Sequence, residues 1–295
     1  MKSAGAYRYR VVDVFAEQPL EGNALAVFPD AAGIDTATMQ KIARELNLAE
    51  TAFVIPTTRA GCAVGVRIFT PMREMRFAGH PTVGTAFVLL EERIVPRNSE
   101  RFAVDEKVGA IQIQVEGDVR PLIWLRTPPI REGRSFDRIV CARSLGLAKS
   151  DLLEIPPQLM SAGNPTVFVA LKNRKAVDHA WLDLSSYHLL KGDHPESMCV
   201  FVFTPTSEGA YSRMFAPEYG IAEDPATGSS TGPLAAFMMR HGLVSSTAGS
   251  RFVSEQGTKM RRRSILHVHI HGERGRDGID VGGHVVPVVE AMMTI

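Results

Sequence analysis

Three segments of this chain carry side chains whose types and spacing suit proton chemistry. His80-Pro81-Thr82-Val83-Gly84-Thr85 and Asp224-Pro225-Ala226-Thr227-Gly228-Ser229 share the pattern [His/Asp]-Pro-x-x-Gly-[Thr/Ser], about half a chain length apart. An imidazole or a carboxylate at such a position can orient a polar substrate or move a proton. Asp224 alone is a good helix cap, whereas histidine is not a preferred one, so it is the pairing of the two copies that points to a site. Glu50 is the third candidate, in Asn47-Leu48-Ala49-Glu50-Thr51-Ala52-Phe53-Val54, where a helix exit feeds an apolar strand. A carboxylate buried there is costly to ionise, which suits a general base; periodicity alone instead favours an exposed strand-edge residue. Gly79, Gly84, Gly228 and Ser229 are small enough to let an anion approach the unpaired amides at the start of a helix. Two such starts facing each other would grip a small carboxylate.

The elements that must position these groups are mostly strands. Met39, Ile42, Ala43 and Leu46 behind Asp35 predict an amphipathic helix over 36–46. A second helix is expected behind His80, with Pro81 in its first turn, running through Thr85–Glu92. A third is expected from about Gly228 through His241, stopping at Gly242 and containing Pro233, and a short one over 150–154. The second and third are apolar on all sides, so each belongs inside something. Short runs punctuated by Gly, Pro and Asn predict strands at 9–15, 25–28, 51–55, 63–69, 111–115 and 123–126, and again at 166–171, 198–203, 212–215, 265–270, 279–281 and 285–289. Two further matches keep the order of the first: Phe69-Thr70-Pro71 with Phe215-Ala216-Pro217, and Gly22-Asn23 with Gly163-Asn164. Together they predict a duplicated α+β fold of two pseudo-symmetric domains, each a curved, mostly antiparallel sheet around a central apolar helix. The domains are expected at 1–128, with the last strand at about 284–295 as a candidate addition, and at 129–283. The best candidate linker lies in 127–150.

Asn47–Phe53, Phe77-Ala78-Gly79-His80-Pro81-Thr82-Val83-Gly84-Thr85 and Glu223-Asp224-Pro225-Ala226-Thr227-Gly228-Ser229 resemble the motif segments of the PhzF-like phenazine-biosynthesis family. Val12-Asp13-Val14-Phe15, Gly22-Asn23 and Glu255-Gln256-Gly257 extend the resemblance over nearly the whole chain. It implies the diaminopimelate-epimerase-like fold with the active site between the domains. It also implies an isomerase that shifts a proton, as across the ring of a dihydro-hydroxyanthranilate, with neither metal nor organic cofactor. On the matching positions Glu50 transfers the proton, His80 and Asp224 hold substrate polar groups, and Ser229 acts with the neighbouring glycine amides. The related epimerases use two cysteines in these loops; Cys62, Cys141 and Cys199 lie in neither. Two segments depart from the family: Gly22-Asn23-Ala24 where Gly-Asn-Pro is frequent, and Arg261-Arg262-Arg263-Ser264 in place of Gly-Arg-Pro-Ser.

Composition narrows the partners. With 295 residues, 33 Lys+Arg against 32 Asp+Glu leaves no electrostatic footprint for nucleic acid or an anionic membrane. Three cysteines without CxxC spacing argue against a disulfide or zinc framework. The opening residues lack the apolar core of a signal peptide and no run approaches 18 apolar residues, so a cytoplasmic protein is expected. Exposed sheet edges make a homodimer the expected assembly. Gly228-Ser229-Ser230-Thr231-Gly232, with Asp280 and His284 downstream, formally matches a serine-hydrolase elbow, but Asp224-Pro225 precedes it where a strand should run in. His267, His269 and His271 alternate on one strand face, expected to be solvated rather than metal-bound, and Lys259 with Arg261–Arg263 is expected to be a solvated turn. A non-enzymatic carboxylate-binding protein is the remaining alternative, to be separated by whether Glu50 faces His80.

Overall fold

The computed structural model describes residues 5–193, 196–271 and 278–295. The first four residues of the opening segment read above for targeting signals lie outside the described residues. The chain divides into two compact units, Met1–Arg126 with Gly282–Ile295, and Thr127–Val281.

The first unit is built from β1 (Ala6–Val14), β2 (Asn23–Phe28), α1 (Thr36–Leu46), β3 (Glu50–Ile55), β4 (Val64–Phe69), β5 (Glu74–Met75), α2 (Gly79–Glu91), β6 (Arg101–Glu106), β7 (Gly109–Glu116), β8 (Leu122–Arg126) and the terminal β18 (Val285–Thr294). In α1 the Asp35 carboxylate accepts from the Thr38 amide at 2.9 Å, and Asn47 closes the helix in the left-handed region at φ 52°. Its apolar stripe, Met39, Ile42 and Ala43, packs on Phe28, Phe53 and Phe69 of one sheet face. On α2 every residue from Gly79 to Leu90 is buried, as a helix without a polar face requires.

The second unit comprises β9 (Arg131–Ser135), α3 (Arg138–Ser144), β10 (Gln158–Ser161), β11 (Thr166–Ala170), α4 (Arg174–His179), α5 (Leu184–Lys191), β12 (Cys199–Thr206), β13 (Gly209–Ala216), β14 (Ile221–Asp224), α6 (Gly228–Arg240), β15 (Arg251–Gln256), β16 (Ser264–Ile270) and β17 (Ile279–Gly283, whose last two residues belong to the first unit). Here both faces of the sheet are covered. Phe168, Phe201 and Phe203 meet Leu234, Phe237 and Met238 of α6, while Val167, Val169, Val200 and Val202 meet Cys141, Ala142, Val177, Tyr187 and Leu190 of α3, α4 and α5. Burial on both sides explains why β11 and β12 are continuous apolar runs rather than alternating ones.

The pairing pattern of the two units is the same. In the first, β1 is antiparallel to β2 and β18, β2 parallel to β3, β3 antiparallel to β4, β4 antiparallel to β5 and parallel to β6, and β6 antiparallel to β7. In the second, β10 is antiparallel to β11 and β9, β11 parallel to β12, β12 antiparallel to β13, β13 antiparallel to β14 and parallel to β15, and β15 antiparallel to β16. The duplicated, sheet-rich α+β architecture is therefore real.

Three local expectations are corrected. The stretch 127–150 is not a free linker: it holds β9 and α3. All five β9 residues are exposed, so no apolar alternation announces it. The helix expected at 150–154 is a 3-10 turn over Lys149–Asp151. Helices α3, α4 and α5 were invisible to periodicity because each spans at most 8 residues, and their identifiable signals are the caps Asp137, Asn173 and Asp183. The three cysteines are free. Among the described residues no helix is long and apolar enough to cross a membrane.

Candidate active site

Glu50 opens β3 and His80 is the second residue of α2; both are buried, with 9% and 3% of their surface exposed. His80 Nε2 lies 3.3 Å from Glu50 Oε2. On the other side of the ring, Asn23 Nδ2 lies 3.3 Å from His80 Nδ1. An amide nitrogen can only donate, so Nδ1 is the acceptor and the hydrogen of a neutral imidazole sits on Nε2, towards Glu50. Burial pushes the His80 pKa down to about 3, so the ring is neutral at pH 7. The parallel pairing of β2 with β3, which sets Leu25 opposite Glu50, brings Asn23 and Glu50 to the same end of the sheet. The result is a carboxylate lying 3.3 Å from a neutral imidazole whose hydrogen is on the facing nitrogen.

Asp224, Gly228 and Ser229 lie in the second unit. Asp224 ends β14, and its Oδ2 accepts from Thr227 Oγ1 at 2.6 Å. Gln256, the last residue of β15, braces this turn: its Nε2 donates to the Asp224 carbonyl at 2.7 Å and its Oε1 accepts from the Thr227 amide at 3.1 Å. Gly257 follows in the left-handed region at φ 75°, and a Cβ there would come within 2.6 Å of the Pro225 carbonyl, so the bracing strand needs glycine at that place. The preceding carboxylate, Glu223, forms two 2.8 Å bonds with the buried Arg213 guanidinium. Asn164 Nδ2 donates to Ser229 Oγ at 3.1 Å. Sequence reasoning missed Asn23, Asn164 and Gln256 as site residues, although the repeated Gly-Asn pair was the visible trace of the two asparagines.

The repeat register read from the motifs needs correction. The motif sets His80 against Asp224, yet α2 starts at Gly79 and α6 at Gly228. Thr82 Oγ1 donates to the Ala78 carbonyl at 2.8 Å, and Thr231 Oγ1 donates to the Thr227 carbonyl at 3.0 Å. Asn23 reaches His80 where Asn164 reaches Ser229. The structural counterpart of His80 is therefore Ser229, and Asp224 precedes its helix on a strand. Gly84 consequently falls inside α2 rather than in an anion-binding turn. A Cβ on it would meet Leu25 Cδ2 and Val14 Cγ2 at 2.6 Å each, so it is glycine for packing. Gly79 and Gly228 are each the first residue of their helix, and no side chain caps either start, which leaves those amides open to an external anion.

Other candidate chemistry finds different partners. Ser230 is wholly buried in α6 with its Oγ 3.0 Å from Thr166 Oγ1, and Asp280 Oδ2 lies 2.6 Å from His271 Nε2, so the hydrolase reading has no exposed nucleophile. The His269 and His271 rings pack at a tilt with centroids 4.0 Å apart, and among the described residues no group of three or more His, Cys, Asp or Glu is placed to hold a metal ion. Arg261 and Arg263 are exposed, as a solvated turn requires.

Residues 12–291 match the family model described as phenazine biosynthesis-like protein (PhzC-PhzF). The trans-2,3-dihydro-3-hydroxyanthranilate isomerase of Pseudomonas chlororaphis is 34% identical over 286 residues, covering 95% of this chain and 96% of that protein. A solved structure of a predicted epimerase from Pseudomonas aeruginosa superposes with a TM-score of 0.84 at 30% identity, covering 97% of this chain and 99% of that one. A hydroxyproline epimerase from Agrobacterium vitis shares the fold, with a TM-score of 0.66 at 12% identity over 98% of this chain and 93% of that one.

Proposed function

This chain belongs to the phenazine biosynthesis-like (PhzC-PhzF) family and is an isomerase, and from that premise we propose that Glu50 moves a proton within a small carboxylate-bearing substrate. The observation that carries this reading is the Glu50–His80 contact, with the imidazole neutral and its hydrogen on the nitrogen that faces the carboxylate. Glu50 Oε takes a proton from a carbon next to a conjugated system. The electron pair of that C–H bond enters the conjugated system, and the Glu50 carboxyl then returns the proton to another carbon. Glutamate ends as it began, so the cycle consumes no cofactor. A histidine with so low a pKa does not act as an acid near neutrality; it flanks Glu50 and offers its N–H to a substrate heteroatom.

The amides at each uncapped helix start, Gly79 in the first unit and Gly228 with Ser229 in the second, offer anion sites for a substrate carboxylate. Asp224, with Thr227 and Gln256 fixing its turn, accepts from a substrate hydroxyl or amino group. The first substrate to test is trans-2,3-dihydro-3-hydroxyanthranilate, after which the Pseudomonas relatives are named. In nuclear magnetic resonance assays the wild type converts this compound, or a related cyclic carboxylate. Glu50→Gln and Asp224→Asn fold and lose turnover, the former by ~10²–10⁴-fold. Undiminished turnover by Glu50→Gln would overturn the assignment.

The working form in this proposal is a cytoplasmic homodimer. Exposed Val289, Met292 and Ile295 at the C-terminal strand support a second copy covering it. Sedimentation of the protein as a monomer at micromolar concentration would remove that part.

A further inference from the structure

Beneath the first turn of α2 lies a buried acid that the mechanism above does not use. Glu106 is the last residue of β6, and 4% of its surface is exposed. Its Oε1 stands 2.5 Å from Thr82 Oγ1, and its Oε2 is buried without a hydrogen-bond partner. Thr82 Oγ1 also lies 2.8 Å from the Ala78 carbonyl. A hydroxyl has one hydrogen, and a carbonyl can only accept. If Thr82 gives its hydrogen to Ala78, the hydrogen in the shorter contact has to come from Glu106. Both bonds exist together only when Glu106 is a carboxylic acid.

The second unit braces the start of its helix from the corresponding strand end with a neutral side chain, though on Asp224 and Thr227 rather than on the first-turn threonine. Gln256 ends β15 as Glu106 ends β6. Each of these strands runs parallel to the corresponding earlier strand, β13 or β4. Gln256 donates to the Asp224 carbonyl and to Thr227 Oγ1 and accepts from the Thr227 amide, steadying the turn into α6. In the first unit an acid stands where the second has an amide.

We propose that Glu106 is a positioning residue for the His80 turn, bracing Ala78–Thr82 as a neutral carboxylic acid that donates its proton to Thr82. The charges around it are engaged elsewhere. Asp105 is bonded to Thr57 and Arg59, Lys107 and Arg67 are bonded to Glu74 of β5, and His80 of α2 is neutral. Burial, the largest influence, holds the Glu106 carboxyl up to about 8, and only a Thr82 hydrogen turned towards the carboxylate opposes it. When Glu106 loses its proton to solvent base, the Thr82 hydrogen must turn to the carboxylate and Ala78 loses its partner. An anion then stands behind the helix start that presents Gly79 and His80.

The proposal rests on the reading of His80 and Glu50 as active-site groups, so its test has a readout that needs no substrate. Infrared difference spectra of wild type minus Glu106→Gln at pH 7 show a protonated carboxylic acid band, and that band fades as the pH is raised past about 8. No band at pH 7 overturns the proposal whatever the protein catalyses. With trans-2,3-dihydro-3-hydroxyanthranilate as probe, Glu106→Ala lowers kcat by ~10–100-fold with little change in KM, as a misplaced catalytic group does. Glu106→Gln recovers most of that rate and lacks the alkaline fall in kcat of the wild type. A Glu106→Gln enzyme as slow as Glu106→Ala, or one that keeps the alkaline limb, contradicts the proposal; should Glu106→Ala not fold, the pH profile of Glu106→Gln against wild type decides. A wild type inert towards the probe would count against the substrate reading, and the band alone would then decide the role of Glu106.

Discussion

The starts of α2 and α6 are built to one plan and equipped for different tasks. Each helix opens on glycine without a side-chain cap, and a threonine in each first turn donates back to the carbonyl four residues earlier. Each also receives an asparagine from the entry to a strand of its own unit, Asn23 on His80 and Asn164 on Ser229. The difference lies in what the asparagine touches. In the first unit it sets the tautomer of an imidazole beside a carboxylate. In the second it meets a hydroxyl, and the carboxylate, Asp224, sits before the helix with its Oδ2 taken by Thr227. Duplication supplied two uncapped helix starts, and only the first sets an imidazole beside a carboxylate, the pair to which the proposed function gives the proton.

The largest expected effect comes from making the first start resemble the second. His80→Ser should cost ~10²-fold or more in kcat, because Glu50 loses the imidazole beside it, whereas Ser229→Ala should act mainly on KM and by ~10-fold at most. Steady-state kinetics on both variants check this; equal losses in kcat would break the comparison. Asn23→Ala should come next, at ~10-fold in kcat, since the ring is then free to place its hydrogen on Nδ1, while Asn164→Ala should change KM by a few-fold.

Stability should depend on pH through two groups with opposite signs. His80 titrates near 3 in the folded state against 6.5 unfolded, so the unfolded chain binds more protons between those values. Its contribution is complete above pH 6.5 and is lost as the pH falls towards 3. Glu106 titrates near 8 folded against 4.5 unfolded, so its contribution is complete below 4.5 and is lost as the pH rises through 8. Urea midpoints measured from pH 4 to 9 should therefore show Glu106→Gln flattening the alkaline side and His80→Asn the acid side. The smallest functional effect belongs to Gly84→Ala. Overpacking against Leu25 and Val14 should destabilise the first unit by ~1–3 kcal/mol, read from denaturant midpoints, with the rate per folded molecule little changed.

Much of this was legible in the sequence because it rests on local physical signals. The stripe behind Asp35 specified α1, and the lack of any polar face on the two central helices placed them inside. The paired Gly-Asn, Phe-x-Pro and His/Asp-Pro segments announced duplication. The register of that duplication was not legible: matching Pro and Gly in both copies aligned His80 with Asp224, while the two helices begin at different points of the shared pattern. A helix start is set by where the backbone can enter the helical region against its neighbours, and two short motifs do not encode that. Gln256 and Glu106 escaped notice for another reason. Each ends a strand whose apolar alternation is weak, and their partners, Thr227 and Thr82, are distant in sequence.

The most direct test of the central claim is solvent-proton transfer at Glu50. In D₂O with trans-2,3-dihydro-3-hydroxyanthranilate, mass spectrometry should find deuterium entering the compound with wild-type protein and none above background with Glu50→Gln, although the variant still binds it. Deuterium incorporated at the wild-type rate by Glu50→Gln would contradict the account.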